Sequence, residues 1–84
     1  MTGRTALVTG SSDGLGLAMG KGLAAAGFDV VLHGLASPDE GQQACDGLMH
    51  AHGVQVRYVR ADLSTPEGVE ALIASAGQVD VLVN

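Results

Sequence analysis

The glycine-rich stretch TGSSDGLG, at residues 9–16, constrains the fold of this chain more than any other feature. It follows an apolar segment at residues 6–8 that is typical of a buried strand, and it precedes a segment of helical periodicity. Its glycines permit backbone angles that a Cβ would forbid, and they let a ligand approach the main chain. The first turn of the following helix adds unpaired N–H groups and the positive end of the helix dipole. We therefore predict that the stretch holds an anionic pyrophosphate, as in a dinucleotide.

Strand-like apolar runs alternate with segments of helical periodicity along the whole sequence. Strands are predicted at residues 4–9, 29–33, 54–60 and 79–84, and helices at residues 14–26, from 37 to about 52, and from the start signal at 64–67 to 76. Such alternation implies parallel strands with right-handed crossovers. We predict an α/β fold: a Rossmann-like open parallel sheet with the order βαβαβαβ, as in the N-terminal portion of a doubly wound fold.

Each predicted helix has one face that we expect to be buried. The expected inner residues are Leu15, Ala18, Met19, Gly22, Leu23 and Ala26 in the first helix, Ala44, Leu48 and Met49 in the second, and Val69, Leu72, Ile73 and Ala76 in the third. Gly20 and Gly22 are each unfavourable in a helix by roughly 1 kcal/mol relative to Ala. Close approach of the first helix to the sheet is the expected reason for both.

Helix boundaries are marked by capping residues. Ser37, Pro38 and Glu40 have the pattern of an N-cap, a first-turn proline and a capping box, and residues 64–67 repeat the signal. Gly27, Gly53 and Gly77 follow the three helices in the position that typically ends them.

Charge and composition exclude several kinds of partner. The net charge is -5, and the four basic residues are scattered, so neither nucleic acid nor an anionic membrane surface is expected. Cys45 is the one cysteine, which rules out an internal disulfide and favours a reducing, cytoplasmic location. We expect Cys45 to be a half-buried helix residue. His50 and His52 lie two apart on a helix and point to different faces, so no metal site is expected there.

The glycine stretch departs from the general dinucleotide fingerprint Gly-x-Gly-x-x-Gly, because Met19 stands where its third glycine would fall. The pattern present is Thr9-Gly10-x-x-x-Gly14-x-Gly16. A tight turn without a ligand is the alternative interpretation. The strand before the turn and the further βα units after it favour the dinucleotide site.

In these motifs the chain resembles the short-chain dehydrogenase/reductase family, in its single-domain branch. The resemblance rests on residues 9–16, on Ala-Asp-Leu at 61–63, and on VDVLVN at 79–84, which is similar to the run into the family's Asn-Asn-Ala-Gly motif. These segments occur in the family's order and spacing and cover nearly the whole chain.

The resemblance implies a set of cofactor-binding residues. The ribose and pyrophosphate would be surrounded by Gly10, Ser12, Gly14, Leu15 and Gly16. Asp62 would accept a hydrogen bond from the adenine amino group, and Leu63 would lie beside the adenine ring. Asn84 would lie near the adenosine ribose, and Asp13 and Leu35 would border the part of the site that selects the cofactor. Taken alone, Asp62 has helix-start or turn chemistry as its alternative interpretation.

The end of the second strand and the glycine loop bear on the choice of cofactor. Rossmann-type sites place an acid after the second strand for NAD, or an Arg nearby for NADP, whereas here His33-Gly34-Leu35 follows, and we expect His33 beside the adenosine ribose. Asp13 occupies the loop position where NADP-dependent relatives often carry a basic residue, and no Lys or Arg is expected near either position. A 2′-phosphate would meet Asp13 without a cationic partner, so we predict NAD rather than NADP.

The implied activity is hydride transfer between a nicotinamide and a small alcohol or carbonyl substrate. Residues 31–34 and 61–64 also resemble the NAD-dependent 3-hydroxybutyrate dehydrogenases, which suggests a 3-hydroxy acid. The family's catalytic Tyr, Lys and Ser, and a further Asn, are expected beyond residue 84, so residues 1–84 are expected to be the N-terminal part of one dinucleotide-binding domain and to be inactive alone. Family analogy suggests a tetramer. The alternative is a non-catalytic dinucleotide-binding or sensing module, a pseudoenzyme.

Overall fold

The computed structural model describes residues 3–10 and 14–83. The elements follow in the order β1 (Thr5–Val8), α1 (Gly14–Ala25), β2 (Asp29–Gly34), α2 (Pro38–His52), β3 (Val56–Arg60), α3 (Pro66–Ala76) and β4 (Val81–Val83). The predicted βαβαβαβ order is confirmed. The third and fourth strands each begin two residues later than predicted.

The four strands form one parallel sheet in the order β3-β2-β1-β4. The chain therefore winds outward from β1 through β2 to β3, then crosses back over both to place β4 on the other side of β1. This reversal creates a switch point between β1 and β4 at the carboxyl edge of the sheet, which is where doubly wound folds bind ligands. The predicted Rossmann-like fold is confirmed.

Alternate residues of the central strands point into two separate core clusters. One cluster joins Val8, Val30 and Leu32 to α1, α2 and β3, whereas the other joins Leu7 and Val31 to α3. Helices thus cover both faces of the sheet. This arrangement explains why the centres of β1 and β2 read as continuous apolar runs and not as alternating ones.

Two acidic side chains fix the amino edge of the sheet. The Asp80 carboxylate accepts a hydrogen bond from the Thr5 amide at 2.9 Å, and the Asp80 amide donates to the Thr5 carbonyl at 2.8 Å. On the other side, the Asp29 carboxylate accepts from the Gln55 amide at 3.0 Å. These contacts lie where strands begin, far from the carboxyl edge, and we assign them a structural role.

The buried face of α1 differs from the predicted one. Gly20 and Ala24 are buried, with Leu17 and Leu23 partly buried against them, whereas Leu15 is 79% exposed and Met19 is 41% exposed. The helix has apolar residues on several sides, so its periodicity does not define one face. Gly20 determines which side of α1 faces the sheet, because a Cβ there would lie 2.9 Å from Leu32 Cδ2.

The prediction that close approach to the sheet also explains Gly22 is wrong. A Cβ at Gly22 would have no described atom within 4 Å, so close approach to the sheet does not account for this residue.

The predicted buried face of α3 is half wrong. Leu72 and Ala76 are buried, but Val69 and Ile73 are 39% and 64% exposed. Among the described helices, α3 alone contributes to its core cluster, so only residues aimed directly at the sheet are covered.

Cys45 is fully buried in α2, whereas the sequence predicted a half-buried residue. It lies in the cluster with Val30, Leu32 and Leu48, beneath the β2–β3 side of the sheet. Burial, assisted by the neighbouring Asp46 carboxylate, raises the pKa of the thiol to about 11. The position acts as a small apolar residue of the core.

The predicted helix caps are confirmed. Ser37 Oγ accepts from the Glu40 amide at 3.3 Å and donates to Glu40 Oε1 at 3.1 Å. Thr65 is the N-cap of α3, where its Oγ1 accepts from the Gly68 amide at 3.0 Å. Gly53 ends α2 with a φ of 68°. Caps of this kind each contribute about 1 kcal/mol.

In the part of the chain that the structure describes, every helix is too short or too polar to cross a lipid bilayer.

Candidate functional site

A groove of about 400 Å³ opens at the carboxyl edge of the sheet. It runs across the ends of β1, β2 and β3 and is lined by Thr9, Gly10, His33, Gly34, Leu35, Ala61 and Leu63. The glycine turn forms one wall, and the residues that follow β3 form the opposite wall. The groove therefore lies where the predicted dinucleotide site was expected.

The turn between β1 and α1 begins and ends with glycines in the left-handed region. Gly10 has a φ of 62° and Gly14 has a φ of 60°, values that cost a residue with a Cβ about 1 kcal/mol or more. Among the described residues, nothing lies within 4 Å of the point that a Cβ would occupy at either glycine. At these two glycines the main chain is thus unobstructed by the described residues, which fits a bound pyrophosphate.

The start of the glycine turn is held by the fourth strand. The Thr9 amide donates to the Val83 carbonyl at 3.0 Å, and the Thr9 hydroxyl approaches the same oxygen at 3.4 Å. This pairing extends the β1–β4 ladder to the switch point. It keeps the turn at the edge of the sheet while α1 begins at Gly14.

His33 joins the two walls of the groove. Its Nδ1 accepts a hydrogen bond from the Gly10 amide at 3.1 Å, and its Nε2 donates to the Ala61 carbonyl at 2.8 Å. The side chain is only 5% exposed. The sequence placed His33 beside the adenosine ribose, but both of its ring nitrogens are engaged by the main chain.

The loop after β2 is supported by side chains of β3. Tyr58 Oη donates to the Ala36 carbonyl at 2.8 Å, and Arg60 Nε donates to the Leu35 carbonyl at 3.3 Å. Gly41 in α2 makes room for the Tyr58 ring, because a Cβ there would collide with it. Because the Arg60 side chain reaches Leu35, the expectation that no Lys or Arg lies near the end of the second strand is wrong.

Asp62 follows β3 and begins a tight turn. Its Oδ1 accepts from the Ser64 amide at 2.9 Å and from the Ser64 hydroxyl at 2.6 Å. These two hydrogen bonds hold the pKa of the Asp62 carboxyl below its ordinary value, and the Arg60 charge adds to the effect. A carboxylate has several acceptor positions, so the turn leaves capacity for a hydrogen-bond donor of a ligand.

The structure brings most of the sequence-predicted site residues to one edge of the sheet. Gly10, Leu35 and Leu63 line the groove, Asp62 lies next to it, and the remaining described residues, Gly14, Leu15 and Gly16, form the first turn of α1. Ser12, Asp13 and Asn84 lie outside the described residues. The contacts of His33, Tyr58 and Arg60 were missed, because they depend on the register between β2 and β3.

A family model described as short chain dehydrogenase matches residues 4–84. The fold is that of Rossmann-type α/β proteins, and the match to the family model identifies the family within this class. The chain belongs to the short-chain dehydrogenase/reductase family, as the sequence motifs predicted.

The chain is similar to several members of this family. It is 35% identical over 85 residues to D-beta-hydroxybutyrate dehydrogenase of Rhizobium meliloti (strain 1021), covering 96% of this chain and 33% of that protein. It is 40% identical over 85 residues to the uncharacterized oxidoreductase YvaG of Bacillus subtilis (strain 168), covering 100% of this chain and 32% of that protein. The chain thus spans about a third of the length of these curated relatives.

Solved structures share the fold over the same segment. L-sorbose reductase of Gluconobacter frateurii, complexed with NADPH and L-sorbose, superposes with a TM-score of 0.88 at 40% identity, covering 100% of this chain and 33% of that one. Acetoin dehydrogenase YohF of Salmonella typhimurium superposes with a TM-score of 0.80 at 33% identity, covering 96% of this chain and 35% of that one.

Proposed function

We propose that residues 1–84 form the N-terminal part of the dinucleotide-binding domain of an oxidoreductase and supply the adenosine–pyrophosphate half of its cofactor site. The observation that carries the proposal is the groove between the glycine turn and Leu63, at the carboxyl edge of the sheet of a short-chain dehydrogenase fold. A bound nicotinamide dinucleotide supplies the hydride acceptor or donor for an alcohol or carbonyl substrate.

The residues of this chain bind and orient the cofactor. The open turn at Gly10 and Gly14 and the first N–H groups of α1 would hold the pyrophosphate without a cationic side chain. The Asp62 carboxylate, which the Ser64 turn keeps ionised, would accept from the adenine amino group. Leu63 is on the groove wall and would contact the adenine ring.

NAD is the cofactor that we propose first. The support is Asp13, whose negative charge in the glycine loop disfavours a 2′-phosphate. NADP is the second candidate, because Arg60 lies against Leu35 at the end of β2, where such sites hold the ribose. Calorimetric titration of the full-length natural protein with both dinucleotides tests this. Tighter binding of NADP would overturn the argument from Asp13.

The substrate that we propose is a small alcohol or carbonyl compound, with a 3-hydroxy acid first, on the strength of the similarity to D-beta-hydroxybutyrate dehydrogenase. We place the catalytic groups outside residues 1–84. The 84-residue chain alone should then show no turnover. We also propose a cytoplasmic location and, by family analogy, a tetramer.

A non-catalytic dinucleotide-binding module is the competing function. The decisive measurement is NAD reduction by the full-length natural protein in the presence of 3-hydroxybutyrate and of a panel of other small alcohols. Turnover with any of them supports the enzyme. Dinucleotide binding by calorimetry, without turnover on the whole panel, would support the binding module.

A further inference from the structure

The hydrogen bonds of His33 to the main chain select one tautomer of its ring. An amide N–H can only donate and a carbonyl oxygen can only accept, so Nδ1 next to Gly10 must be bare and Nε2 next to Ala61 must carry the proton. The two contacts therefore correspond to the Nε2–H tautomer of the imidazole. In this form each ring nitrogen satisfies a main-chain group in a nearly buried position.

The two main-chain groups belong to opposite walls of the groove. Gly10 opens the glycine turn that would hold the pyrophosphate, and Ala61 directly precedes Asp62 and Leu63, which would contact the adenine. His33 itself lies on β2, the strand between β1 and β3, and reaches both neighbours from the floor of the groove. A change in this side chain would therefore affect the spacing of the two walls.

We propose that His33 is a positioning residue for the dinucleotide, a role that rests on the proposed function. Other dinucleotide sites place an acidic side chain after the second strand to bind the ribose, whereas here an imidazole near the end of β2 binds the main chain of the protein itself. It sets the distance between the pyrophosphate wall and the adenine wall. The side chain acts through its hydrogen bonds to Gly10 and Ala61.

The sheet does not depend on His33 alone. The Thr9 amide donates to the Val83 carbonyl at 3.0 Å, and the Ala61 amide donates to the Gly34 carbonyl at 3.4 Å. These bonds attach each wall to a strand independently of the imidazole. A variant at residue 33 should therefore keep the fold while it loses the fixed geometry of the groove.

Three substitutions separate the contributions of the two ring nitrogens. H33L removes both polar contacts at similar size. H33N places an amide oxygen where Nδ1 stands, so it can still accept from Gly10. H33Q places an amide nitrogen near the position of Nε2, so it can still donate to Ala61. R57M is the matched control, because Arg57 caps the end of α3 through the Ser75 and Ala76 carbonyls, away from the groove.

The experiment measures dinucleotide affinity by calorimetry in the full-length natural protein, with circular dichroism to verify folding. We expect H33L to weaken binding about tenfold and H33N and H33Q about threefold to fivefold each, because each of these two leaves one wall unattached, with R57M within about twofold of wild type. Nitrogen NMR of the wild-type imidazole should show a bare Nδ1 and a protonated Nε2. If H33L fails to fold, the comparison of H33N and H33Q with wild type decides, since each variant lacks one of the two contacts.

The experiment distinguishes failure of the proposed function from failure of the positioning role alone. A wild-type protein that binds neither NAD nor NADP overturns the proposed function and the positioning role with it. A wild-type protein that binds, together with folded H33L and H33Q variants that bind equally well, overturns only the positioning role. An imidazole protonated at Nδ1 would likewise contradict it, because the Gly10 amide could not then donate to the ring.

Discussion

Arg60 Nε donates a hydrogen bond to the carbonyl oxygen of Leu35, at 3.3 Å, and so places a guanidinium at the carboxyl end of β2. The contact arises from strand register, because Arg60 pairs with Gly34 across the parallel β2–β3 ladder. The two residues are 25 positions apart in the sequence. A charge that is isolated in the sequence thus lies beside Leu35, one of the residues that line the groove.

Replacement of this guanidinium should affect one cofactor and spare the other. R60M removes the charge but keeps most of the aliphatic stem. We expect NADP affinity to fall about tenfold or more, since a charge-assisted hydrogen bond to the phosphate is lost. NAD has no 2′-phosphate, so its affinity should stay within about twofold. Parallel calorimetric titrations of the full-length natural protein with both dinucleotides measure the difference.

Arg57 provides the control on the same strand. R57M removes the same charge, but the Arg57 guanidinium donates to the Ser75 and Ala76 carbonyls at the far end of α3. The selectivity between the dinucleotides should therefore not change. Equal losses of NADP affinity in R60M and R57M would show that only net charge matters and that Arg60 does not contact the phosphate.

The Asp62 turn should give the protein a measurable dependence on pH. Hydrogen bonds from Ser64 hold the pKa of the Asp62 carboxyl below its unfolded value, so ionised Asp62 favours the folded state. That contribution is present above about pH 4 and is lost as the pH falls through the lowered pKa. S64A should raise the pKa of Asp62 toward its ordinary value. Carbon NMR of the carboxyl group follows this change directly, and an unchanged titration curve would contradict the assignment.

Much of the fold follows from local sequence patterns. Strand–helix alternation and the caps at Ser37 and Thr65 gave correct elements, because these signals depend on a few neighbouring residues. The buried faces of α1 and α3 were harder to predict. Both helices are apolar on several sides, and the neighbours that cover each side, such as Leu32 against Gly20, are distant in sequence.

The candidate site likewise has a part that the sequence predicts and a part that it does not. The glycine turn and Leu63 could be placed from the sequence, because parallel strands all end at one edge and their following loops must meet there. The bonds from His33 to Gly10 and Ala61 could not. They require the strand order β3-β2-β1 and the pairing of His33 with Val59, which no local pattern specifies.

Gly20 and Gly22, two of the glycines in α1, should respond in opposite ways to alanine. G22A adds a Cβ into open space and gains helix propensity, so the free energy of unfolding should rise by up to about 1 kcal/mol. G20A places a Cβ 2.9 Å from Leu32 Cδ2 in the core, and overpacking should offset that gain or exceed it. Urea denaturation followed by circular dichroism measures both. Equal stabilisation by the two substitutions would disagree with the close contact at Gly20.

The buried thiol of Cys45 should make the fold sensitive to alkaline pH. Its pKa is raised to about 11 in the folded protein, whereas an unfolded cysteine titrates near pH 8.5. Between these values the unfolded chain loses a proton that the folded chain keeps, so the free energy of unfolding decreases as the pH rises. Urea midpoints measured between about pH 7 and pH 10 should therefore fall in the wild type and fall less in C45A. Thiol-specific reagents should label Cys45 only after denaturant has unfolded the core, and rapid labelling of the native protein at neutral pH would show that the thiol is accessible.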